Sequence, residues 1–144
     1  MNRSAPETSV MVVIVVLFPI LFVGMWYVVG LLVYSISGWA RLAESFAAGG
    51  EPTGRRFFMQ YGVVGNIYYR SVLTIHTAPN GFYLSVWLPF RIGHPPLFIP
   101  WQEVRNATTY PFWWFEMVEF DVGSPTIATL ELPKRIFEGQ LFVG

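Results

Sequence analysis

The sequence predicts a single transmembrane α-helix followed by a mainly β (α+β) domain, a strongly bent antiparallel sheet or partly open barrel with one C-terminal helix. Three observations carry this. Residues 8–40 hold no charged side chain, in a chain of 144 residues of which 53% are hydrophobic and 12% charged; ordinary soluble domains are about 25% charged. From residue 55 onward, short runs of branched and aromatic residues alternate with Gly, Pro and Asn, a strand-and-turn pattern. Finally, Pro133 precedes Ile136, Phe137 and Leu141 on one helical face, with Lys134 and Arg135 outward, and proline is suited to a first helical position.

Residues 1–9 form an N-terminal tail. Residues 10–36 are nearly all Val, Ile, Leu, Phe, Met, Trp, Tyr and Gly. At about 1.5 Å per residue they make roughly 40 Å of helix against roughly 30 Å of hydrocarbon, enough to cross a bilayer once and too little to cross twice. The run exceeds the roughly 7–15 apolar residues of a cleaved signal peptide, so an uncleaved anchor is expected. Pro19 predicts a kink, and Gly24 and Gly30 leave flat spots without the four-residue spacing of the known helix-dimer motif. Arg3 and Glu7 precede the span, whereas Arg41, Arg55 and Arg56 follow it. That bias of cations places the C-terminal domain in the cytoplasm.

Residues 37–48 read as an amphipathic juxtamembrane helix: Trp39, Leu42, Ala43 and Phe46 recur at spacings of three and four, with Arg41, Glu44 and Ser45 outward. Trp39 fits the interfacial belt of a bilayer, and equally a core contact for the domain. Residues 49–54, with three glycines and a proline, are the linker. Residues 55–144 are the β-rich domain. Strands are predicted at 56–64, 72–77, 82–88, 97–99, 104–110, 115–122 and 126–132, with Pro79-Asn80-Gly81 turning the second into the third. About 90 residues suffice for one modest core and not for two domains. This element order is the outline of a pleckstrin-homology-like or GRAM-like module, by analogy.

Composition also excludes. Nine Lys and Arg balance nine Asp and Glu, so no global field recruits nucleic acid. Without cysteine and with two histidines, there is no disulfide, thiol nucleophile or thiolate metal site, and no cofactor is expected. His76 and His94 lack a sequence signature for nucleophile or metal, Glu116, Glu119 and Asp121 read as a strand's solvent face, and no phosphate-binding glycine loop occurs. An enzyme is not expected.

Ser37-Gly38-Trp39-x-x-Leu42-Ala43, then Gly81-x-Tyr83-Leu84-Ser85, then Phe90-Arg91-x-Gly93-His94-Pro95-Pro96-Leu97-Phe98-Ile99-Pro100-Trp101 resembles a family of small bacterial proteins, some with and some without a membrane helix. The resemblance spans roughly the last two-thirds of the chain, its most specific part being the stretch from His94 to Trp101. It implies a bacterial source, and hence the inner (plasma) membrane, and supports a pleckstrin-homology-like domain. It brings no catalytic residue.

Three groups are candidate contact surfaces. Tyr110-Pro111-Phe112-Trp113-Trp114-Phe115 places five aromatic rings at a strand connection; Phe112, Trp113, Trp114 and Phe115 either form an exposed patch for a bilayer interface or partner groove, or close one end of the barrel. Arg91, His94 and Trp101 either converge as a ligand-facing corner, or Trp101 is a core anchor and His94 a hydrogen-bonded turn residue. Arg41, Arg55, Arg56 and Arg70 are the cationic concentration near the membrane, worth about 1 kcal/mol per cation at anionic headgroups; Arg55 and Arg56 must face opposite sides of a strand. The expected function is a non-enzymatic, membrane-anchored binding or scaffolding module that docks a protein or lipid headgroup at the cytoplasmic face, with the bilayer and a protein partner or membrane complex as its partners. An accessory assembly subunit of a larger membrane complex is the alternative, and a His-dependent hydrolase a remote one.

Overall fold

The computed structural model describes residues 4–139. Helix α1 (Ser4–Ile36) begins six residues before the purely apolar run. Pro6 lies in its first turn, where a proline displaces no intrahelical donor, and Glu7 there complements the positive helix end. Pro19 does not end the helix. The segment Pro6–Ile36 is long and apolar enough to cross a membrane, and its first twenty residues are exposed on every face, as a lipid-facing helix requires. The chain reverses at Gly38, in the left-handed region at φ 84°, into helix α2 (Trp39–Phe46).

Seven strands follow: β1 (Arg55–Val64), β2 (Ile67–Ala78), β3 (Gly81–Val86), β4 (Leu97–Pro100), β5 (Val104–Phe112), β6 (Phe115–Val122) and β7 (Ala128–Pro133). They form one curled sheet, a half-barrel in the order β4-β3-β2-β1-β7-β6-β5, with every neighbouring pair antiparallel. Two meanders are thus joined by pairing the first strand to the last. The free edges, β4 and β5, are linked by the single 3₁₀ turn Trp101–Glu103. The two-residue turn Pro79-Asn80 joins β2 to β3 in register, with Ala78 opposite Gly81, the first residue of β3. The concave face is apolar: Leu73, Ile75, Phe82, Leu84, Phe120, Leu130 and Leu132 are buried. Trp39 and Leu42 of α2 cover it from one side, and Ile136 and Phe137 from another.

Three expectations are corrected. Among the described residues no α-helix follows β7: Lys134–Phe137 is one 3₁₀ turn, after which Glu138 leaves helical geometry at ψ 127° and Gly139 takes φ 88°, and Leu141 lies outside the described residues. Strand β2 starts at Ile67, because Gly65-Asn66 is a tight turn rather than part of a long connection. Strand β5 continues to Phe112, so most of the aromatic segment is paired strand. Of the two readings open for Trp39, the core contact is seen: it is fully buried, donating from its indole to Pro95 O at 2.9 Å, and α2 packs under the domain.

Phe137 is wholly buried and meets the rings of Phe82, Trp101 and Phe120 at 5.8, 5.9 and 5.5 Å. Phe137→Ala should therefore cost about 3–5 kcal/mol, read as a lowered urea midpoint of the detergent-solubilised chain by tryptophan fluorescence.

Candidate functional site

The last three turns of α1 do not stand clear of the domain. The Trp26 indole donates to Pro89 O at 3.4 Å and its ring lies 5.4 Å from Phe90. One turn on, Gly30 admits Ile92, whose side chain would come within 3.1 Å of any Cβ there. The flat spot at Gly30 thus serves the chain's own loop. Tyr34 reaches the His94 ring at 5.7 Å. Where the helix ends, Gly65 takes φ 60° and would clash with Ser37 O, 2.1 Å away, if it carried a Cβ. Only glycine lets the β1–β2 turn meet the helix end this closely.

His94 is the centre of this clamp. It is buried among the rings of Tyr34, Trp39 and Tyr69. Nδ1 lies 2.8 Å from Ile92 O, which can only accept, so Nδ1 carries the proton and Nε2 accepts from the Tyr69 hydroxyl at 3.0 Å. Burial lowers the His94 pKa, partly opposed by the Ile92 carbonyl, and burial pushes the Tyr69 phenol up to about 12. Both groups are therefore neutral at pH 7. The convergence of Arg91, His94 and Trp101 is not found: Arg91 donates to Val86 O, while Trp101 donates to Ala78 O and stacks on Phe82 and Phe137. The chain from Leu97 to Pro100 runs along β3, from Leu84 back to Gly81, and so carries Trp101 away from His94.

A second feature is made of rings that do not pack inward. Trp113 and Trp114 occupy the two turn positions of the β5–β6 hairpin and are 80% and 84% exposed. Phe112 and Phe115 flank them, half-buried, with Phe112 stacked on Tyr61 at 5.2 Å. Met59 shares a cleft with Trp114, and its neighbour Phe58 touches Trp87 at 6.3 Å. Trp87 in turn lies 6.4 Å from Phe90, which meets Trp26 of α1. Among the described residues outside α1, the exposed large apolar side chains are Phe58, Met59, Tyr68, Trp87, Leu88, Phe90, Trp113 and Trp114. Ring contacts run from Phe58 through Trp87 and Phe90 to Trp26 of the helix, and Met59, next to Phe58 in sequence, lines the cleft that Trp114 borders, which makes a rim from the hairpin tip to the helix. Such concentration on one face marks an interaction surface.

The cations divide. Arg56 lies 4.9 Å over Phe58, beside the rim, whereas Arg55 lies over Phe57 on the opposite face. Arg70 borders the tip with Tyr61 and Phe112. Arg41 is exposed on α2, away from the rim. Sequence reasoning missed Phe58, Met59, Tyr68, Trp87 and Leu88, whose strand and loop positions look ordinary until the fold places them side by side. Comparison with protein-family models, curated proteins and solved structures gives no match to this chain.

The lowered His94 pKa makes a pH prediction. The unfolded imidazole titrates near 6.5 and binds more protons than the folded one below that. The stabilisation is thus fully present above pH 6.5 and is lost as pH falls toward the lowered folded value. The urea midpoint should drop between pH 7.5 and 5, and His94→Gln should flatten that slope. His76, whose pKa is lowered by burial and by Arg56, contributes with the same sign, so His76→Gln should flatten it separately. An unchanged slope in the His94 variant would refute the neutral clamp.

Proposed function

We propose that this chain is a non-enzymatic, single-pass module of the bacterial inner membrane that seats its cytoplasmic β domain on the bilayer's headgroup layer through the aromatic rim. The observation that carries this is the exposure of Trp113 and Trp114 on a surface continuous with Trp26 of the apolar helix. Helix length supports it. The 31 residues of Pro6–Ile36 make about 46 Å of helix, against about 30 Å of hydrocarbon and about 40–45 Å of bilayer with its headgroups. Counted from Val10, where the apolar run begins, about twenty residues fill the hydrocarbon, which leaves Gly30 to Ile36 and the domain clamped to them in the interfacial layer, with Trp26 and Tyr27 at its inner boundary. Indole and phenol rings favour that layer. Arg56 and Arg70, beside the rim, add attraction to anionic headgroups of about 1 kcal/mol each.

The seven-strand order resembles the pleckstrin-homology-like outline, and that analogy supports docking over catalysis. So does His94, both of whose ring nitrogens are spent on structural partners. Cations after the helix, Arg41, Arg55 and Arg56, support a cytoplasmic domain.

The cysteine-free chain allows a clean depth measurement. A nitroxide on Trp114→Cys in the full chain in anionic vesicles should collide with oxygen in preference to a water-soluble nickel complex. On Ser124→Cys, at the opposite end of β6, the preference should reverse. Equal access of the nickel complex to both sites would overturn seating on the bilayer, and shielding of Trp114→Cys from both quenchers would place a protein there instead. Ser124→Cys should also resist an impermeant thiol reagent in intact cells; its labelling would invert the orientation.

A further inference from the structure

Between α1 and the outer face of β2 lies a groove of about 400 Å³ that the aromatic rim does not fill. Val29, Gly30 and Val33 form its helix wall, Ile67 and Val72 its sheet wall, and Phe90 and Ile92 its far side. Its floor is the His94–Tyr69 pair, which is neutral and satisfied. The surface is thus apolar from end to end, within the roughly 300–1,000 Å³ of small-molecule sites. Among the described residues one charged side chain lines it: Arg70, which also borders the Trp113–Trp114 tip. Arg70 is exposed and forms no ion pair among those residues. Glu131, which like Arg70 neighbours Tyr61, accepts a hydrogen bond from Tyr110.

We propose that this groove holds one anionic phospholipid of the surrounding leaflet, an acyl chain lying between α1 and β2 and the phosphate on Arg70. The assignment rests on α1 crossing the membrane, as in the function proposed above, and not on the docking of the hairpin tip. Three features select this occupant. The helix wall is the part of α1 that emerges from the hydrocarbon into the headgroup layer, so the open groove meets lipid at the depth where chains join phosphates. A guanidinium at the edge of apolar walls matches a phosphate through paired N–H donors. No carboxylate lines the groove, so the ammonium of a zwitterionic headgroup would find no partner, which favours an anionic one.

The full chain should be reconstituted in nanodiscs of equal phosphatidylglycerol and phosphatidylcholine, released, and weighed intact by native mass spectrometry. One retained phosphatidylglycerol is expected. Arg70→Gln should cut its retention about tenfold, the worth of one charged hydrogen-bond pair, while Arg70→Lys, which keeps the charge but not the paired donors, should fall between that variant and the parent. Val29→Trp, which fills the groove from an exposed helix position, should abolish retention with the domain's melting temperature unchanged. Trp113→Ser with Trp114→Ser should leave retention intact, which separates this site from tip docking. Undiminished phosphatidylglycerol in either the Arg70→Gln or the Val29→Trp protein, or equal retention of the two lipids by the parent, would overturn the assignment.

Discussion

The clamp between the end of α1 and the loop after β3 is the constraint on which the rest of the structure depends. A domain hung from a membrane helix by a flexible tether has no defined height or tilt. Here three successive helix turns are engaged in order: Trp26 with Pro89 and Phe90, Gly30 with Ile92, Tyr34 with His94. The contact combines close backbone approach, ring packing and one buried polar pair whose donors and acceptors are all used. A buried polar group is costly when unpaired and specifying when satisfied. His94 also touches Trp39 and Tyr69, so the imidazole ties α1, α2 and β2 to the loop that carries it.

A fixed height turns helix length into a statement about the domain. An apolar helix longer than the hydrocarbon commonly accommodates by tilting. In this chain the excess length is the part that bears the domain, so it is matched by protein on one side while Val28, Leu32 and Ile36 remain exposed on the other. Apolar side chains on that side suit a helix that would face lipid there. The loop from Trp87 to Phe90 is drawn to the same level and exposes apolar side chains there, which would be unfavourable in water and is favourable at an interface.

Much of the fold was legible in the sequence, because local periodicity determines it. The charge-free run specified the membrane-length helix, alternation specified seven strands, and Pro79-Asn80-Gly81 specified a turn, although it is Pro79 and Asn80 that occupy it and neither Asn80 nor Gly81 takes the left-handed backbone of an Asn-Gly turn. Pairings between distant segments carry no such local sign. Nothing in β1 or β7 announces that they are neighbours, and the rim is assembled from Phe58, Trp87, Phe90, Trp113 and Trp114 by those pairings alone. The misread terminal helix has a different cause: Ile136 and Phe137 suit one face of a long helix, but Glu138 leaves helical geometry after a single turn, and consecutive buried residues fit a tight 3₁₀ turn. The histidine motif was visible, whereas its role depends on Tyr69 and Ile92 arriving from the sheet and the loop.

Two turns in the same sheet expose the difference between residues chosen for folding and residues that work against it. At the β2–β3 turn the chain uses Pro79-Asn80-Gly81, which accepts tight backbone geometry at little cost. At the β5–β6 turn it uses two tryptophans, one of them, Trp113, at φ 55°. A bulky side chain in the left-handed region costs roughly 1–2 kcal/mol, and both rings remain in solvent contact without stabilising the core. Of the three other non-glycine residues in that region, Met59 and Ser71 line the cleft that Trp114 borders, while Asn106, a residue type that tolerates this backbone, sits at the β5 register shift. Backbone strain and exposed rings thus fall on the same face, next to Arg70 and the clamped helix. Departures from local preference, when they cluster and have no folding benefit, locate the surface retained for contact with something outside the chain. With the membrane-length helix rising beside that face, a bilayer is the contact proposed for it.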